Sequence, residues 1–119
     1  MGRYVDGYVL PVPKKNIEDY RKLATEAGKV WKEHGAIEYV EWIAEDVQPG
    51  KVTSFPQAVK LEPDETVVFS WIVYESRTHR DRVNAAAMND PRLAGHNAKT
   101  MPFDGKRMFW GGFELFVEA

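Results

Sequence analysis

Two carboxylates interrupt segments that otherwise carry large residues at alternate positions. Asp6 falls in the Tyr4, Tyr8, Leu10 series near the start of the chain, and Glu41 falls beside Tyr39. A carboxylate set among phenols and aliphatic groups loses hydration, which raises its pKa and suits it to general acid or base work. The same pattern has a structural reading, in which an arginine or backbone donors hold the carboxylate in place. His34 and His79 complete the candidate catalytic set of Asp6, Glu41, His34 and His79. No histidine pair has metal-ligand spacing, so neither a metal nor another cofactor is expected, and His96, after Gly95, reads as a solvated loop residue. Arg77, Arg80 and Arg82 with Asp81 either gather an anion at a helix start or form a solvated face of local ion pairs. Trp31, Trp42, Trp71 and Trp110 either stack a planar ligand or fill the core.

The elements that position these residues can be read from periodicity. Tyr4 to Val12 alternates and ends at prolines, which predicts a first strand. Ile17, Tyr20, Ala24, Ala27, Trp31 and His34 recur at steps of three and four, the stripe of a helix that stops at Gly35, a position favouring positive φ. Ile37 to Ala44 returns to period two as a second strand. Breakers fill Asp46 to Asp64, a long ordered connection in which Ser54 caps a short turn. Thr66 to Tyr74, apolar but for Ser70, predicts a central third strand. Ser76 caps a second helix that ends before Asp90-Pro91, and Asp104-Gly105, with Gly105 at positive φ, turns the chain into a last strand over Met108 to Val117. Gly111-Gly112 marks a bulge or a close backbone approach.

This order is β-α-β-β-α-β: one α+β domain over residues 1–119, ferredoxin-like, with an antiparallel sheet and both helices on one face. Val5, Gly7 and Val9 are small enough to lie under the helices, which assigns Tyr4, Tyr8 and Leu10 to the bare face. A bare apolar sheet face needs a cover, and a second copy in a homodimer is the expected one. On the same topology the first helix ends where the second begins, so His34 and His79 are expected to be neighbours facing the layer between helices and sheet.

Charge and composition narrow the function classes. Sixteen Lys and Arg against eighteen Asp and Glu give a net charge of -2, too weak a field to expect nucleic acid or anionic membrane as a partner. Without cysteine there is no disulfide, thiolate metal site or cysteine nucleophile. The first residues lack a signal-peptide pattern, and no apolar run approaches the ~20 residues that span a bilayer, so a cytoplasmic protein is expected.

Tyr4-Val5-Asp6-Gly7, Pro49-Gly50-Lys51-Val52-Thr53, Phe69-Ser70-Trp71, Asp90-Pro91-Arg92, the run from Met101 to Met108, and Gly111-Gly112-Phe113 together resemble the YbaA-like family of short bacterial proteins. That domain-of-unknown-function family lies in the dimeric α/β-barrel superfamily, so the resemblance implies a dimeric barrel and assigns no catalytic residue. Two functions are carried forward. One is a small-molecule pocket enzyme without metal or nucleotide cofactor; the other is a non-catalytic small-molecule-binding or assembly module.

Overall fold

In a computed structural model the structure describes residues 3–94 and 101–119. The chain forms β1 (Tyr4–Pro13), a 3-10 turn (Lys14–Asn16), α1 (Ile17–Glu33), β2 (Glu38–Ile43), α2 (Phe55–Ala58), β3 (Glu65–Tyr74), α3 (Arg77–Met88), α4 (Pro91–Ala94) and β4 (Phe109–Glu114). The strands make one antiparallel sheet in the order β2-β3-β1-β4. The architecture is thus mixed α and β, and β3 takes its expected inner place. The short helix α4 was not legible beforehand. Pro91 opens it, and the Asp90 carboxylate caps it by accepting from the Arg92 backbone N–H at 3.0 Å.

Local signals explain the element ends. At the end of α1 the Ala36 N–H donates to the Trp31 carbonyl at 3.0 Å and the Gly35 N–H to that of Lys32 at 3.1 Å. This pair of bonds satisfies two carbonyls that the helix leaves unpaired, and it needs Gly35 in the left-handed region, at φ 118°. Ser76 caps α3 by accepting from the His79 N–H, and Ser54 caps α2 by accepting from that of Gln57. Gly105 departs from expectation. Asp104 does open a turn, its carbonyl accepting from the Arg107 N–H, but Gly105 does not adopt positive φ. The Asp104 carboxylate, accepting from the Lys106 N–H, stabilises the turn without it.

The phase of β1 is the reverse of the expected one. Tyr4, Asp6, Tyr8, Leu10 and Val12 face the helices, not solvent. Leu10, Val12 and Val68 pack with Tyr20 of α1, while Tyr4 and Tyr8 pack around Ile72, Tyr74 and Val83 with Trp31. Val9 and Val67 face the other way, beneath Val59 of the connection. Alternation alone fixes which residues share a face; which face meets the helices depends on partners elsewhere in the chain.

For Asp6 that partner is Arg80. Asp6 is 0% exposed, and the Arg80 Nη1 donates to its Oδ1 at 2.5 Å while Asn84 Nδ2 approaches its Oδ2 at 3.5 Å. Asn84 in turn accepts from Trp31 Nε1 at 2.9 Å and from the Tyr74 hydroxyl at 2.8 Å. One polar network therefore ties β1, β3, α1 and α3. Arg80 is not part of a solvated arginine face, and its spacing of three and seven residues from Val83 and Ala87 places it on the buried side of α3. The close approach at Gly112 of β4, paired with Asp6, belongs to the same region, because a side chain there would occupy the space of the Tyr4 phenol.

Two expectations follow for stability. Gly35→Ala should cost about 1–2 kcal/mol, since it forces an L-residue to positive φ beside the His79 ring, whereas Gly105→Ala should leave the thermal midpoint unchanged or slightly higher. Thermal melts of the two variants decide, and equal losses would contradict the account. Arg80→Met should cost about 3–5 kcal/mol in urea unfolding by stranding the Asp6 carboxylate, and adding Asp6→Asn should recover part of the loss. A neutral Arg80→Met would show that the pair does not hold β1 to α3.

Candidate functional site

The carboxylate that reaches an open space is Glu41. Tyr39 and Glu41 occupy alternate positions of β2, so both point towards α1. Tyr39 can lie against the helix because residue 28 is glycine; a Cβ there would stand 2.9 Å from the Tyr39 ring. The Tyr39 hydroxyl donates to Glu41 Oε2 at 2.7 Å, and the Tyr20 hydroxyl from α1 makes a short bond to Oε1. Each carboxylate oxygen thus receives one phenol. Burial raises the Glu41 pKa, and the bonds from Tyr20 and Tyr39 only partly offset it. Burial, with the Glu41 charge second, also pushes both phenols above their ordinary range, so they remain donors.

Glu41 lies between two openings. On one side is a cavity of about 290 Å³ between α1 and the sheet, walled by Leu10, Ala27, Trp31, Ile72 and Met108. On the other is a groove of about 400 Å³ lined by Arg21, Thr25, Gly28 and Ile43. The Tyr20, Glu41 and Tyr39 side chains border both. A half-buried carboxylate with a raised pKa in an apolar cavity can accept a proton from a bound molecule and return it.

The other sequence candidates lie elsewhere. Asp6 is sealed behind Arg80 and does not line the cavity. His79 is buried; its Nδ1 accepts from the Glu75 N–H at 2.9 Å, which places the proton of the neutral ring on Nε2. His34 Nε2 bonds to Asp90 Oδ2 at 3.0 Å, within a surface cluster that includes Arg92 and Glu33. Gly35 abuts His79 and Val83, so the end of α1 does lie beside α3, yet the two imidazoles have separate partners and neither borders the cavity. His96 lies outside the described residues. Among the described residues no three His, Asp or Glu side chains converge as metal ligands would.

Sequence reasoning missed Tyr20 and Arg80 as polar partners. Tyr20 was legible as part of the α1 stripe, but its hydroxyl is needed only because Glu41 lies opposite. Trp42 and Trp71, 5.4 Å apart, stand on the sheet face away from α1, whereas Trp31 borders the cavity.

A family model described as "Protein of unknown function (DUF1428)" matches residues 3–105. The uncharacterized protein YbaA of Escherichia coli strain K12 is 49% identical over 116 residues, which cover 98% of both chains, and its namesake in Shigella flexneri matches to the same extent. Among solved structures, the de novo designed protein Foldit4 aligns over 98% of this chain and 99% of its own, with 11% identity and a TM-score of 0.45. With most of its length matched by the family model and a relative aligned nearly end to end, the chain belongs to the DUF1428 family and is YbaA-like, as its motifs suggested.

Proposed function

We propose that this chain binds a small, largely apolar molecule in the cavity between α1 and the sheet and exchanges a proton with it through Glu41, as an enzyme without metal or nucleotide cofactor. The observation that carries this reading is the Glu41 carboxylate, held by the Tyr20 and Tyr39 phenols at the cavity floor with a raised pKa. Such a group is poorly placed for stability and well placed for proton transfer.

A second reading, assembly with a second copy, is favoured by the sheet face that α1 and α3 leave open. Trp42, Phe69, Phe109 and Phe113 are exposed on it, with Gly7 and Gly111 paired between them as a shallow strip. This is the cover that a ferredoxin-like dimeric barrel would provide, and the strand order β2-β3-β1-β4 supports that arrangement. Tyr4 and Tyr8, half-buried on the helix face, are not the interface residues in this version; the opposite face is. The two readings are compatible, and a cytoplasmic protein fits both. No helix among the described residues is long and apolar enough to cross a membrane.

Glu41→Gln should abolish proton exchange and raise stability at neutral pH by about 1 kcal/mol, the scale of gain seen when a functional strain is relieved. The sign follows from the raised pKa. Folded Glu41 binds its proton more tightly than unfolded Glu41, so between the unfolded and folded pKa values stability falls as pH rises. The gap between variant and wild type should therefore open as pH climbs from about 4.3, the unfolded value. Native mass spectrometry of protein purified without added ligand should show a retained small molecule that Glu41→Gln loses. A variant less stable than wild type at every pH, with unaltered ligand retention, would make Glu41 structural.

Sedimentation at micromolar concentration should show a dimer, and Phe113→Asp should convert it to monomer without lowering the thermal midpoint of the single chain. A wild-type monomer at all concentrations would remove the second reading.

A further inference from the structure

The Val67 to Tyr74 run is apolar except at Ser70, and this exception lies in a particular row. Ser70 of β3 pairs with Glu41 of β2 on one side and with Tyr8 of β1 on the other. Three oxygen-bearing side chains therefore cross three adjacent strands on the helix face, over about 10 Å at ordinary strand spacing. All three border the 290 Å³ cavity, whose remaining walls are chiefly aliphatic and aromatic.

Ser70 is buried, and buried hydroxyls are ordinarily bonded to protein. Among the described residues neither the Ser70 hydroxyl nor the Tyr8 hydroxyl has a hydrogen-bond partner, while no fully enclosed side-chain oxygen lacks one. Both oxygens are thus open to the cavity. The Tyr8 ring is braced by Trp110, stacked at 6.0 Å and 22°. Burial, then the Asp6 charge, pushes its phenol above the ordinary range, so it stays a donor.

We propose that Ser70 and Tyr8 are the hydrogen-bond donors of the cavity and that its ligand is a flat molecule of one or two rings bearing a carbonyl oxygen, held with an adjacent acidic hydrogen towards Glu41. The size follows from a volume at the lower end of small-molecule pockets, and the flatness from a space between a sheet and a helix. The chemistry balances without a co-reactant. Glu41 takes the proton from the carbon next to the carbonyl, the C–H electron pair becomes the new C=C bond, and the carbonyl π pair moves to the oxygen, where Ser70 and Tyr8 hold it. Return of the proton from Glu41 restores the enzyme, to the same carbon in exchange or to another in isomerisation.

The proposal rests on the cavity being the binding site, and the test separates the two ideas. Binding of 1-indanone and of indane, its counterpart lacking the carbonyl, is followed by isothermal titration calorimetry in wild type, Tyr8→Phe and Ser70→Ala, with thermal melts as a check on folding. Wild type should prefer indanone roughly tenfold, the worth of one or two net hydrogen bonds. Each variant should lose several-fold of that preference while its indane affinity stays unchanged. Equal binding of both compounds by wild type, or a preference untouched in both variants, overturns the donor pair and leaves the cavity a binding site. Binding of neither compound by wild type overturns the cavity reading and the donor pair together.

Discussion

The pairing of Asp6 with Arg80 fixes the phase of the sheet. A carboxylate with no solvent contact within β1 is tolerable only where a cation and an amide reach it, and α3 supplies both in Arg80 and Asn84. Once Asp6 faces α3, the alternation of β1 carries Tyr4, Tyr8, Leu10 and Val12 to the same side. Several large aromatic side chains then share the layer between the sheet and the helices with its aliphatic core.

The space that Glu41 borders arises from this constraint. Tyr20, Tyr39 and Trp31 are anchored at their polar ends, and Tyr8 is stacked on Trp110, so none can collapse inward as an aliphatic side chain would. Gly28 lets α1 approach closely against Tyr39, and the cavity opens beside that contact. The cavity is a product of bulky groups held apart. The polar groups on its floor face a space with few competing partners, where a bond to a ligand counts for more than it would in water.

Much of the fold was legible in the sequence, because the caps at Ser54, Ser76 and Gly35 and the periods of α1, β1, β2 and β3 are local properties. Glu41 was legible as a carboxylate among aromatics for the same reason. What was hidden depends on contacts between distant segments. The facing of β1 is set by Arg80, 74 residues away, and the hydroxyl that completes the Glu41 site comes from Tyr20 on another element. Gly105 was misread because an Asp-Gly pair signals a turn without specifying its type, and here the carboxylate rather than a left-handed glycine closes it.

The strand lengths have a consequence for the chain at high concentration. β1 and β3, in the interior, run for ten residues each, whereas the two outer strands, β2 and β4, run for only six. A short outer strand offers few free backbone groups as a template for ladder growth, and β2 carries Glu38 and Glu41 while β4 ends in Glu114. The molecule is consequently guarded against fibrillar stacking along its rims even though one broad side of its sheet is rich in exposed aromatic rings.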